Sequence, residues 1–285
     1  MAEREVRVEA RAKVNVFLRV LGRREDGYHD LESLVVPIAL ADRITFRPAE
    51  RGDVRLVVTG GVGHSVPADE RNLVVVAARL LSARCGGGGG ALIELDKRIP
   101  AAAGLGGGSA DAAATLDALN RLWRCDLGAA ELAEVAAEVG SDVPALLHGG
   151  PVMVRGRGEI VEPAPTAGMW WVVVPQPFAI STADAYRWWD EDGGSTGPDP
   201  RPVLEAAARG DLDALATLAF NDLQGPVFRR HPHLEEARME LLRAGALAAI
   251  LCGSGPTLVG LVRTRQHAAH VARGLPSAVA VSGPG

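Results

Sequence analysis

The stretch Lys97–Asp111, KRIPAAAGLGGGSAD, carries the strongest structural signal in this chain of 285 residues. It follows a strand-like alternating run, ALIELD at 91–96, and precedes an alanine-rich helical pattern that extends to about Trp123. Glycines at such a junction let several backbone N–H groups converge, and the following helix adds unpaired N–H groups and the positive end of its dipole. We therefore predict a loop that binds a polyphosphate, with a merely flexible turn as the alternative.

The order of the glycines separates this loop from two common phosphate-binding motifs. A Walker loop ends in Gly-Lys-Ser/Thr, and a dinucleotide fingerprint needs G-x-G-x-x-G. The letters here are GLGGGS at 104–109, which fit neither pattern. Asp111 falls in what we expect to be the first turn of the helix, where a carboxylate would repel a phosphate, so we expect it to point away from the ligand. Mg²⁺ between the carboxylate and the phosphate is the alternative.

Upstream of the loop, the sequence predicts several strands and one helix. Residues 6–20 alternate between apolar and polar side chains, which is typical of a strand, either bent or followed closely by a second one. Lys13 and Asn15 share one face of it, which we expect not to be part of the core. Further strands are predicted at 33–40, 43–47 and 54–59, and a helix at 72–84.

Downstream of the loop, helical and strand-like patterns are mixed. GSDVP at 140–144 predicts the start of a short helix, capped by Ser141 and with Pro144 in its first turn. The Gly- and Pro-rich segment 191–202 predicts an exposed loop. The other patterns predict helices at 128–139, 203–208, 212–219 and 234–244, and strands at 152–161, 170–174, 248–251 and 257–262. Strands grouped early, followed by mixed helices and strands, favour an α+β fold with a domain boundary near residues 155–170.

Three further segments are candidate functional sites, each with a plain structural alternative. Asp142 needs a partner for catalysis, which Lys13 could supply; otherwise it simply starts a helix. The loop 22–30 contains Tyr28 and His29, and in a chain with two tyrosines an aromatic face here suits a planar ligand such as a base. A solvated loop is the alternative. The small-residue turn LCGSGP at 251–256 forms either a tight hairpin or a second wall around a phosphate-rich ligand.

Composition argues against several classes of protein. The formal net charge is −5, with 30 Lys+Arg against 35 Asp+Glu, and no basic cluster indicates a nucleic-acid partner. No apolar run approaches the roughly 18 residues of a membrane span, and the first residues lack the apolar segment of a signal peptide, so we expect a cytoplasmic protein. The basic residues include two lysines, Lys13 and Lys97. The three cysteines, at 85, 125 and 252, are odd in number and outside any CxxC pattern, which favours reduced thiols.

The chain resembles the GHMP small-molecule kinases in four segments, taken in order: AKVNVFLRVLGRREDGYHDLES (12–33), KRIPAAAGLGGGSADAA (97–113), GSDVPALLHGG (140–150) and LCGSGPTLVGL (251–261). The family's motifs are an N-terminal strand, a Pro-x-x-x-Gly-Leu-Gly-x-x-Ser phosphate loop and a late glycine-rich turn. The resemblance implies a two-domain α+β GHMP kinase fold. Its N-terminal, ATP-binding domain, of the ribosomal-protein-S5-like type, would cover residues 1–160, and its C-terminal α/β-sandwich domain residues 161–285.

Within that family, the GYH letters at 27–29 match the branch that acts on a cytidine-bearing substrate. The resemblance then implies ATP-dependent phosphorylation of the 2-hydroxyl of 4-diphosphocytidyl-2-C-methyl-D-erythritol, in the non-mevalonate isoprenoid precursor pathway, with Mg²⁺ as cofactor. The partners implied are ATP and this cytidine diphosphate-linked polyol, without nucleic acid or membrane, for a monomer or weak homodimer. Another GHMP kinase, of the homoserine or mevalonate type, is the first alternative, and a non-catalytic nucleotide-binding module is the second.

The resemblance also assigns roles to residues of this chain. Lys13 and Asp142 match the catalytic pair, in which Asp142 accepts the hydroxyl proton or only orients the hydroxyl, and Lys13 orients Asp142 and offsets charge on the phosphoryl group. Ser109 is a candidate ligand of Mg²⁺, and Ala110 departs from the second serine of many relatives. The positions matched to ATP binding are Asn72, Lys97, Pro100, Ala101, Ala102, Ala103, Gly104, Leu105, Gly106, Gly107, Gly108, Ser109 and Ala110. Those matched to the substrate are Asn15, Tyr28, His29, Thr182 and Tyr186, and the late turn contributes Gly253, Ser254 and Gly255.

Overall fold

The computed structural model describes residues 5–60, 66–87 and 89–283. Within these ranges the chain forms eleven strands and ten helices. The strands are β1 (Val6–Arg23), β2 (His29–Pro48), β3 (Val54–Thr59), β4 (Ala91–Asp96), β5 (Val152–Gly156), β6 (Ile160–Pro163), β7 (Trp170–Val174), β8 (Phe220–Asn221), β9 (Ala248–Leu251), β10 (Leu258–Val262) and β11 (Val279–Ser282). The helices are α1 (Leu73–Arg84), α2 (Gly107–Trp123), α3 (Ala129–Val139), α4 (Val143–His148), α5 (Thr182–Glu191), α6 (Arg201–Arg209), α7 (Leu212–Leu218), α8 (Gln224–Arg230), α9 (His233–Arg243) and α10 (Arg265–Arg273).

The chain divides into two compact units, each built from separate segments. The first unit contains the chain as far as Ala12, together with Leu40–Ala101 and Gly106–Gly149. The second unit contains Lys13–Ala39, Ala102–Leu105 and the chain from Gly150 onward. Strands β1 and β2 and the predicted phosphate loop therefore contribute residues to both units. The domain division at residue 160 stays a prediction.

The core of the first unit joins one face of its strands to helices α1–α4. Strand β4 pairs antiparallel with β2 and parallel with β3. Burial alternates along β4, so Ile93 and Leu95 point into the core. They belong to one apolar cluster with Leu81 of α1 and Leu116 of α2. Strand β4 and helix α2 flank the glycine loop. This packing fixes the start of α2 relative to the end of β4.

The second unit contains a four-stranded antiparallel sheet in the order β11-β7-β10-β9. Its core includes Val172 of β7, Leu251 of β9 and Leu258 of β10, clustered with Leu234 and Leu241 of α9. In the same unit β1 pairs in parallel with β8, and β2 pairs antiparallel with β5, which forms a hairpin with β6. The predicted late turn connects β9 to β10. Both ends of the turn are therefore fixed by strands of this sheet.

Strand β1 differs from the expectation of one core face and one polar face. Burial alternates only as far as Arg11, and every residue from Ala12 to Leu18 is buried. Lys13 and Asn15 are each 4% exposed, so the prediction that their face lies outside the core is wrong. The physical reason is that loop residues Ala102–Leu105 and the late turn pack over this part of the strand, and the polar side chains there bond to one another.

Three further boundaries differ from the sequence expectations. The runs at 33–40 and 43–47 form a single strand, β2, because Asp42 is buried and hydrogen-bonded instead of ending the strand. The run at 152–161 is two strands, β5 and β6. Helix α4 begins directly after Asp142, so the prediction that Ser141 caps it is wrong, whereas Pro144 lies in its first turn as expected. The segment between α5 and α6 is the expected loop, although α5 ends at Glu191 and α6 begins at Arg201.

The expectation of three reduced cysteines is also wrong. Cys85 and Cys125 form a disulfide, with their Cα atoms 5.3 Å apart. They are 40 residues apart in sequence, but Cys85 follows α1 and Cys125 follows α2, and these two helices pack against each other. Cys252 lies outside this disulfide and is buried. In the part of the chain that the structure describes, no helix has the length and apolar character needed to cross a membrane.

Candidate active site

The first turn of α2 presents backbone N–H groups that have no acceptor within the helix. Gly106 precedes the helix in the left-handed region, with φ of 71°, and no side chain caps this end. The first backbone bond runs from Ala110 N–H to the Gly106 carbonyl, so the N–H groups of residues 107–109 point out of the helix. The first turn contains no acidic residue. The N-terminus of this 17-residue helix can therefore hold an anion, as the sequence predicts.

Asp111 is the fifth residue of α2 instead of part of its first turn, and its side chain is buried. Its Oδ2 accepts a hydrogen bond of 2.8 Å from Lys97 Nζ. Burial raises the pKa of Asp111 to about 8; the Lys97 ammonium opposes this rise and the nearby Asp42 carboxylate adds to it. The carboxylate thus has a protein partner, in line with the expectation that it does not face a phosphate.

Asp42 is a second partner of Lys97, and sequence reasoning missed it. Its Oδ2 accepts a hydrogen bond from Lys97 Nζ. Its Oδ1 accepts two more, from the backbone N–H groups of Arg98 at 2.5 Å and Ile99 at 2.8 Å. One signal was available: an acidic residue between two apolar strand runs becomes buried if the runs are one strand, and a buried carboxylate needs partners.

The middle of the glycine loop, Ala102–Leu105, packs within the second unit against β1 and the late turn. The Lys13 backbone N–H donates to the Leu105 carbonyl at 3.0 Å. Gly104 has φ of 76°, and a Cβ at this position would lie 2.1 Å from the carbonyl oxygen of Cys252. Only glycine therefore fits at residue 104 without moving the backbone of the late turn.

The side chain of Lys13 connects this loop to the polar residues of β1. Its Nζ donates to the Gly104 carbonyl at 3.0 Å and to Asn15 Oδ1 at 2.7 Å. Asn15 Nδ2 donates in turn to Ser33 Oγ at 2.8 Å, and Ser33 Oγ donates to the carbonyl of Phe17 at 2.7 Å. The structure thus brings together the predicted residues Lys13, Asn15 and Gly104. Ser33, which sequence reasoning missed, fixes the orientation of the Asn15 amide.

The late turn approaches the same lysine. Gly253 has φ of 55°, and a Cβ there would lie 3.0 Å from both the Gly104 carbonyl oxygen and Lys13 Nζ. Asn221 holds the turn in place, because its Nδ2 donates to the carbonyls of Leu251 and Gly253, each at 2.8 Å. The turn thus joins the antiparallel strands β9 and β10 as a hairpin and lies against the glycine loop, and its role as a second wall around a phosphate-rich ligand stays a prediction. Asn221 was missed, since its partners lie about 30 residues away.

His29 opens β2 and is buried beside α5. Its Nε2 lies 2.9 Å from Asp190 Oδ1. Its ring stacks on Tyr186, with centroids 4.9 Å apart, and meets the edge of Trp189 at 5.8 Å. The predicted substrate residues His29 and Tyr186 therefore lie together, held by Asp190 and Trp189, which sequence reasoning missed. Because Nε2 is engaged with Asp190, Nδ1 is the ring nitrogen that does not take part in this contact.

Tyr28, next to His29 in sequence, has a different neighbour. Its side chain is 52% exposed, and the guanidinium carbon of Arg157 lies 5.2 Å from its ring centroid. Tyr28 thus presents an exposed aromatic face beside a cation. The predicted residues Thr182 and Ser254 meet, with their hydroxyl oxygens 3.0 Å apart.

Two other predicted residues lie at helix starts in the first unit. Asn72 caps α1: its Oδ1 accepts from Val74 N–H at 2.9 Å, and its Nδ2 donates to the Pro67 carbonyl at 2.6 Å. Asp142 is exposed, and its side chain does not cap α4. Lys13 belongs to the second unit and Asp142 to the first. Their pairing stays a prediction, as does a role of Asn72 toward ATP.

The residues present suit a metal ion that arrives with a nucleotide. Among the residues that the structure describes, no group of three or more His, Cys, Asp or Glu side chains is arranged to hold a metal ion. Mg²⁺ keeps several waters and takes phosphate oxygens from its substrate, so one or two protein oxygens suffice. The half-exposed hydroxyl of Ser109, in the first turn of α2, offers one such oxygen.

Two protein-family models match the chain. The model described as "GHMP kinases N terminal domain" matches residues 72–150, and the model described as "GHMP kinases C terminal" matches residues 203–281. The first match includes the glycine loop with the start of α2, and the second includes the late turn. The matched segments therefore contain the two glycine-rich stretches from which the site was built.

Similar proteins cover nearly the whole chain. A 4-diphosphocytidyl-2-C-methyl-D-erythritol kinase of Pelotomaculum thermopropionicum is 44% identical over 266 residues, which is 92% of this chain and 91% of that protein. A crystal structure of a 4-(cytidine 5'-diphospho)-2C-methyl-D-erythritol kinase matches with a TM-score of 0.81 at 36% identity, over 98% of this chain and 100% of that one. A homoserine kinase structure from Cytophaga hutchinsonii matches with a TM-score of 0.76 at 19% identity, over 100% and 96%, which shows a shared fold alone. These likenesses confirm the predicted two-domain α+β fold.

Proposed function

Because this chain belongs to the GHMP kinase family and is thus a small-molecule kinase, we propose that it transfers the γ-phosphoryl group of ATP to the 2-hydroxyl of 4-diphosphocytidyl-2-C-methyl-D-erythritol. The curated relative named for this substrate shares 44% of its residues over 92% of the chain, which supports the choice within the family. The homoserine or mevalonate type remains the alternative, since those kinases share the fold. We retain residues 1–160 and 161–285 as the two domains of this proposal.

The observation that carries the proposal is the contact network of Lys13. This buried ammonium donates both to the carbonyl of Gly104 in the glycine loop and to Asn15, the residue matched to the polyol. One cation therefore bonds both to the glycine loop and to a residue matched to the alcohol. Phosphoryl transfer depends on such positioning and on offsetting charge, more than on covalent catalysis.

ATP is expected to bind with its phosphates at the N-terminus of α2. The N–H groups of residues 107–109 supply hydrogen bonds, and the helix dipole favours the negative charge. Mg²⁺, when bound with ATP, neutralises charge on the β- and γ-phosphates. Ser109 is the residue of this loop that we propose to hold it. Asp111 has no such role in the proposal because its side chain is buried and its Oδ2 accepts a hydrogen bond from Lys97.

Asp142 is proposed to accept or orient the reacting hydroxyl. Its side chain is exposed at the start of α4, and the resemblance matches it to the catalytic pair. In a loose transition state the hydroxyl proton leaves late, which makes orientation by Asp142 as important as its basicity. Lys13 offsets the charge that develops on the transferred phosphoryl group.

The base of the substrate is proposed to bind at His29. The bond from Asp190 to Nε2 and the stacking on Tyr186 hold the imidazole in one orientation. With Nε2–H donating to Asp190, Nδ1 accepts, and the exocyclic amino group of cytosine is the donor that fits it. The exposed ring of Tyr28 offers a stacking face for the same base.

The test is phosphoryl transfer from ATP to three alcohols offered separately: the cytidyl substrate, homoserine and mevalonate. ADP release is measured for each with the purified full-length protein and Mg²⁺. We expect release with the cytidyl substrate to exceed that with either alternative by at least about a hundredfold in kcat/KM, because an empty base site forfeits binding energy. Preference for homoserine or mevalonate would overturn the substrate assignment, and ATP binding without any transfer would favour the non-catalytic module.

A further inference from the structure

Lys97 is a buried cation of the first unit, and its ammonium lies between the side chains of two aspartates. Its side chain is 3% exposed, and those of Asp42 and Asp111 are 0% and 3% exposed. Nζ donates to Asp42 Oδ2 and, at 2.8 Å, to Asp111 Oδ2. The Lys97 ammonium therefore donates its hydrogen bonds to two aspartates of the protein. The resemblance to the family, in contrast, matches Lys97 to a position that binds ATP.

The two carboxylates stand on opposite sides of the glycine loop in sequence. Asp42 Oδ1 accepts from the N–H groups of Arg98 and Ile99, which directly precede the loop. Asp111 lies in α2, directly after the loop. Through these bonds Lys97 links the segment directly before the loop to α2, the helix directly after it. Both belong to the first unit.

Close packing at the start of α2 supports the same connection. A Cβ at Gly107 would lie 2.9 Å from Ile99 Cγ2 and 3.5 Å from Lys97 Nζ. The first residue of the helix therefore lies against the segment that Asp42 fastens, without room for a larger side chain. The N–H groups proposed to bind phosphate begin at this same residue.

We propose that Asp42, Lys97 and Asp111 position the phosphate loop, so that Lys97 acts on ATP binding through its hydrogen bonds to these two aspartates and not as a ligand of the nucleotide. The proposal rests on the proposed function only in that the loop binds ATP. Its physical basis is that a buried polar network keeps one geometry while its hydrogen bonds are made, and loses that geometry when one of its side chains is removed.

The Asp42→Asn variant separates a positioning residue from a ligand. The amide oxygen of the new side chain can still accept from the Arg98 and Ile99 N–H groups, but its NH₂ group faces the Lys97 ammonium, donor against donor. If Lys97 positions the loop, KM for ATP rises about tenfold or more, while KM for the alcohol stays within about twofold. If Lys97 binds ATP directly, breaking its bond to Asp42 leaves KM for ATP unchanged or lower, and that result would overturn the proposal.

A double-mutant cycle with Lys97→Met gives the second readout. Positioning predicts that the Asp42→Asn/Lys97→Met double variant is no worse for ATP than the worse single variant, since both changes remove one contact. If the increase in KM for ATP in the double variant equals the product of the two single increases, Asp42 and Lys97 act independently, which would contradict the proposal. Lys97→Arg is expected not to restore ATP affinity, because a guanidinium is wider than this buried space.

Matched controls keep the result specific. Asp96→Asn removes a half-exposed carboxylate of the same segment, which pairs with Arg98 at 2.8 Å, and it is expected to leave both KM values unchanged. Should Asp42→Asn fail to fold by circular dichroism, Asp111→Asn tests the other side of Lys97, with an expected two- to fivefold rise in KM for ATP; an unchanged value would overturn the proposal. If the wild-type protein phosphorylates none of the three alcohols, the proposed function fails, and Kd for ATP by calorimetry still tests the positioning role.

Discussion

At the scale of single residues, Lys13 is the cation on which the contacts of the second unit converge. It is 4% exposed and bonds to the loop and to Asn15, while a Cβ at Gly253 would lie 3.0 Å from its ammonium nitrogen. A compact ammonium fits this space, whereas a planar guanidinium needs a wider fork of partners. The identity of this residue as lysine therefore matters beyond its charge.

The Lys13→Arg variant is expected to lose at least about a hundredfold in kcat, although the charge is kept, because misplacement by an ångström costs that much in a positioned reaction. ADP release with the cytidyl substrate measures it. Arg11→Lys on the same strand is the control, since Arg11 is exposed. Wild-type turnover in Lys13→Arg would mean that the network does not require an ammonium.

Asp142→Asn distinguishes the two roles proposed for this carboxylate. An asparagine can still orient the hydroxyl through its oxygen but cannot take the proton, and loss of a general base costs about 10²–10⁴-fold in kcat. We expect a fall in this range with KM for both substrates changed little, measured by steady-state kinetics. Near-normal turnover would leave Asp142 an orienting role only.

Asp190→Asn tests the orientation of His29. The amide can no longer accept strongly from Nε2–H, so we expect KM for the cytidyl substrate to rise about three- to tenfold with KM for ATP unchanged. Asp184→Asn on the same helix is the control, since Asp184 forms a surface ion pair with Arg187. Equal effects of the two variants, or a rise confined to ATP, would contradict the assignment of His29 to the base.

At the scale of elements, the conformation of the glycine loop depends on a close approach of its backbone to the backbone of the late turn. Gly104 combines φ of 76° with a space that would put a Cβ 2.1 Å from the Cys252 carbonyl. Gly149 has the same φ of 76°, but no atom lies within 4 Å of the position of a Cβ. Gly104 and Gly149 therefore have the same backbone conformation, but only at Gly104 would a Cβ collide with a neighbouring atom.

Gly104→Ala is expected to destabilise the fold by about 2–4 kcal/mol and to weaken ATP binding, because strain and a backbone clash add. Gly149→Ala is expected to cost about 1 kcal/mol from strain alone, with ATP binding unchanged. Urea unfolding and calorimetric titration with ATP measure the two effects. Equal losses of stability would mean that the approach to Cys252 does not constrain the loop.

The glycine loop and helices α1–α4, α6, α7 and α9 were predicted from sequence, whereas helices α5, α8 and α10 and the buried polar contacts were not. The helical period predicted α1 and α3 to within about a residue at each end and the C-terminal end of α2, because each buries one apolar face in the first unit. The alternation of β1 did not predict the burial of Lys13 and Asn15. That burial is produced by loop residues about 90 positions away and by the late turn. Asp42 was missed for the same reason, since its partners are 55 or more residues distant.

At the scale of the whole molecule, the two units differ in how their candidate site residues could be recognised. In the first unit the glycine motif itself predicts the anion site, because a helix N-terminus follows it directly. In the second unit the resemblance supplied His29 and Tyr186, but their supports Asp190 and Trp189 carry no motif of their own. The disulfide between Cys85 and Cys125 depends on the packing of α1 against α2, which the cysteine spacing does not encode.

The stability of the molecule is expected to depend on pH through Asp111. Its pKa is raised from 3.8 to about 8 in the folded chain, mainly by burial. The folded state therefore holds a proton that the unfolded state releases above pH of about 4, so this contribution is full below that pH and is lost as pH rises toward 8. Urea unfolding between pH 5 and 9 should show stability falling with pH in the wild type. The slope should be smaller in Asp111→Asn, and equal slopes would contradict the raised pKa.

The central claim, transfer of a phosphoryl group to the alcohol of a cytidine diphosphate-linked polyol, is tested most directly by phosphorus NMR of the reaction mixture. With ATP, Mg²⁺ and the cytidyl substrate, we predict a new phosphomonoester signal that grows in step with ADP. The diphosphate signals of the substrate would persist, and coupling would place the new group at the 2-hydroxyl. ADP formed without a phosphomonoester, or loss of the diphosphate signals, would contradict the claim.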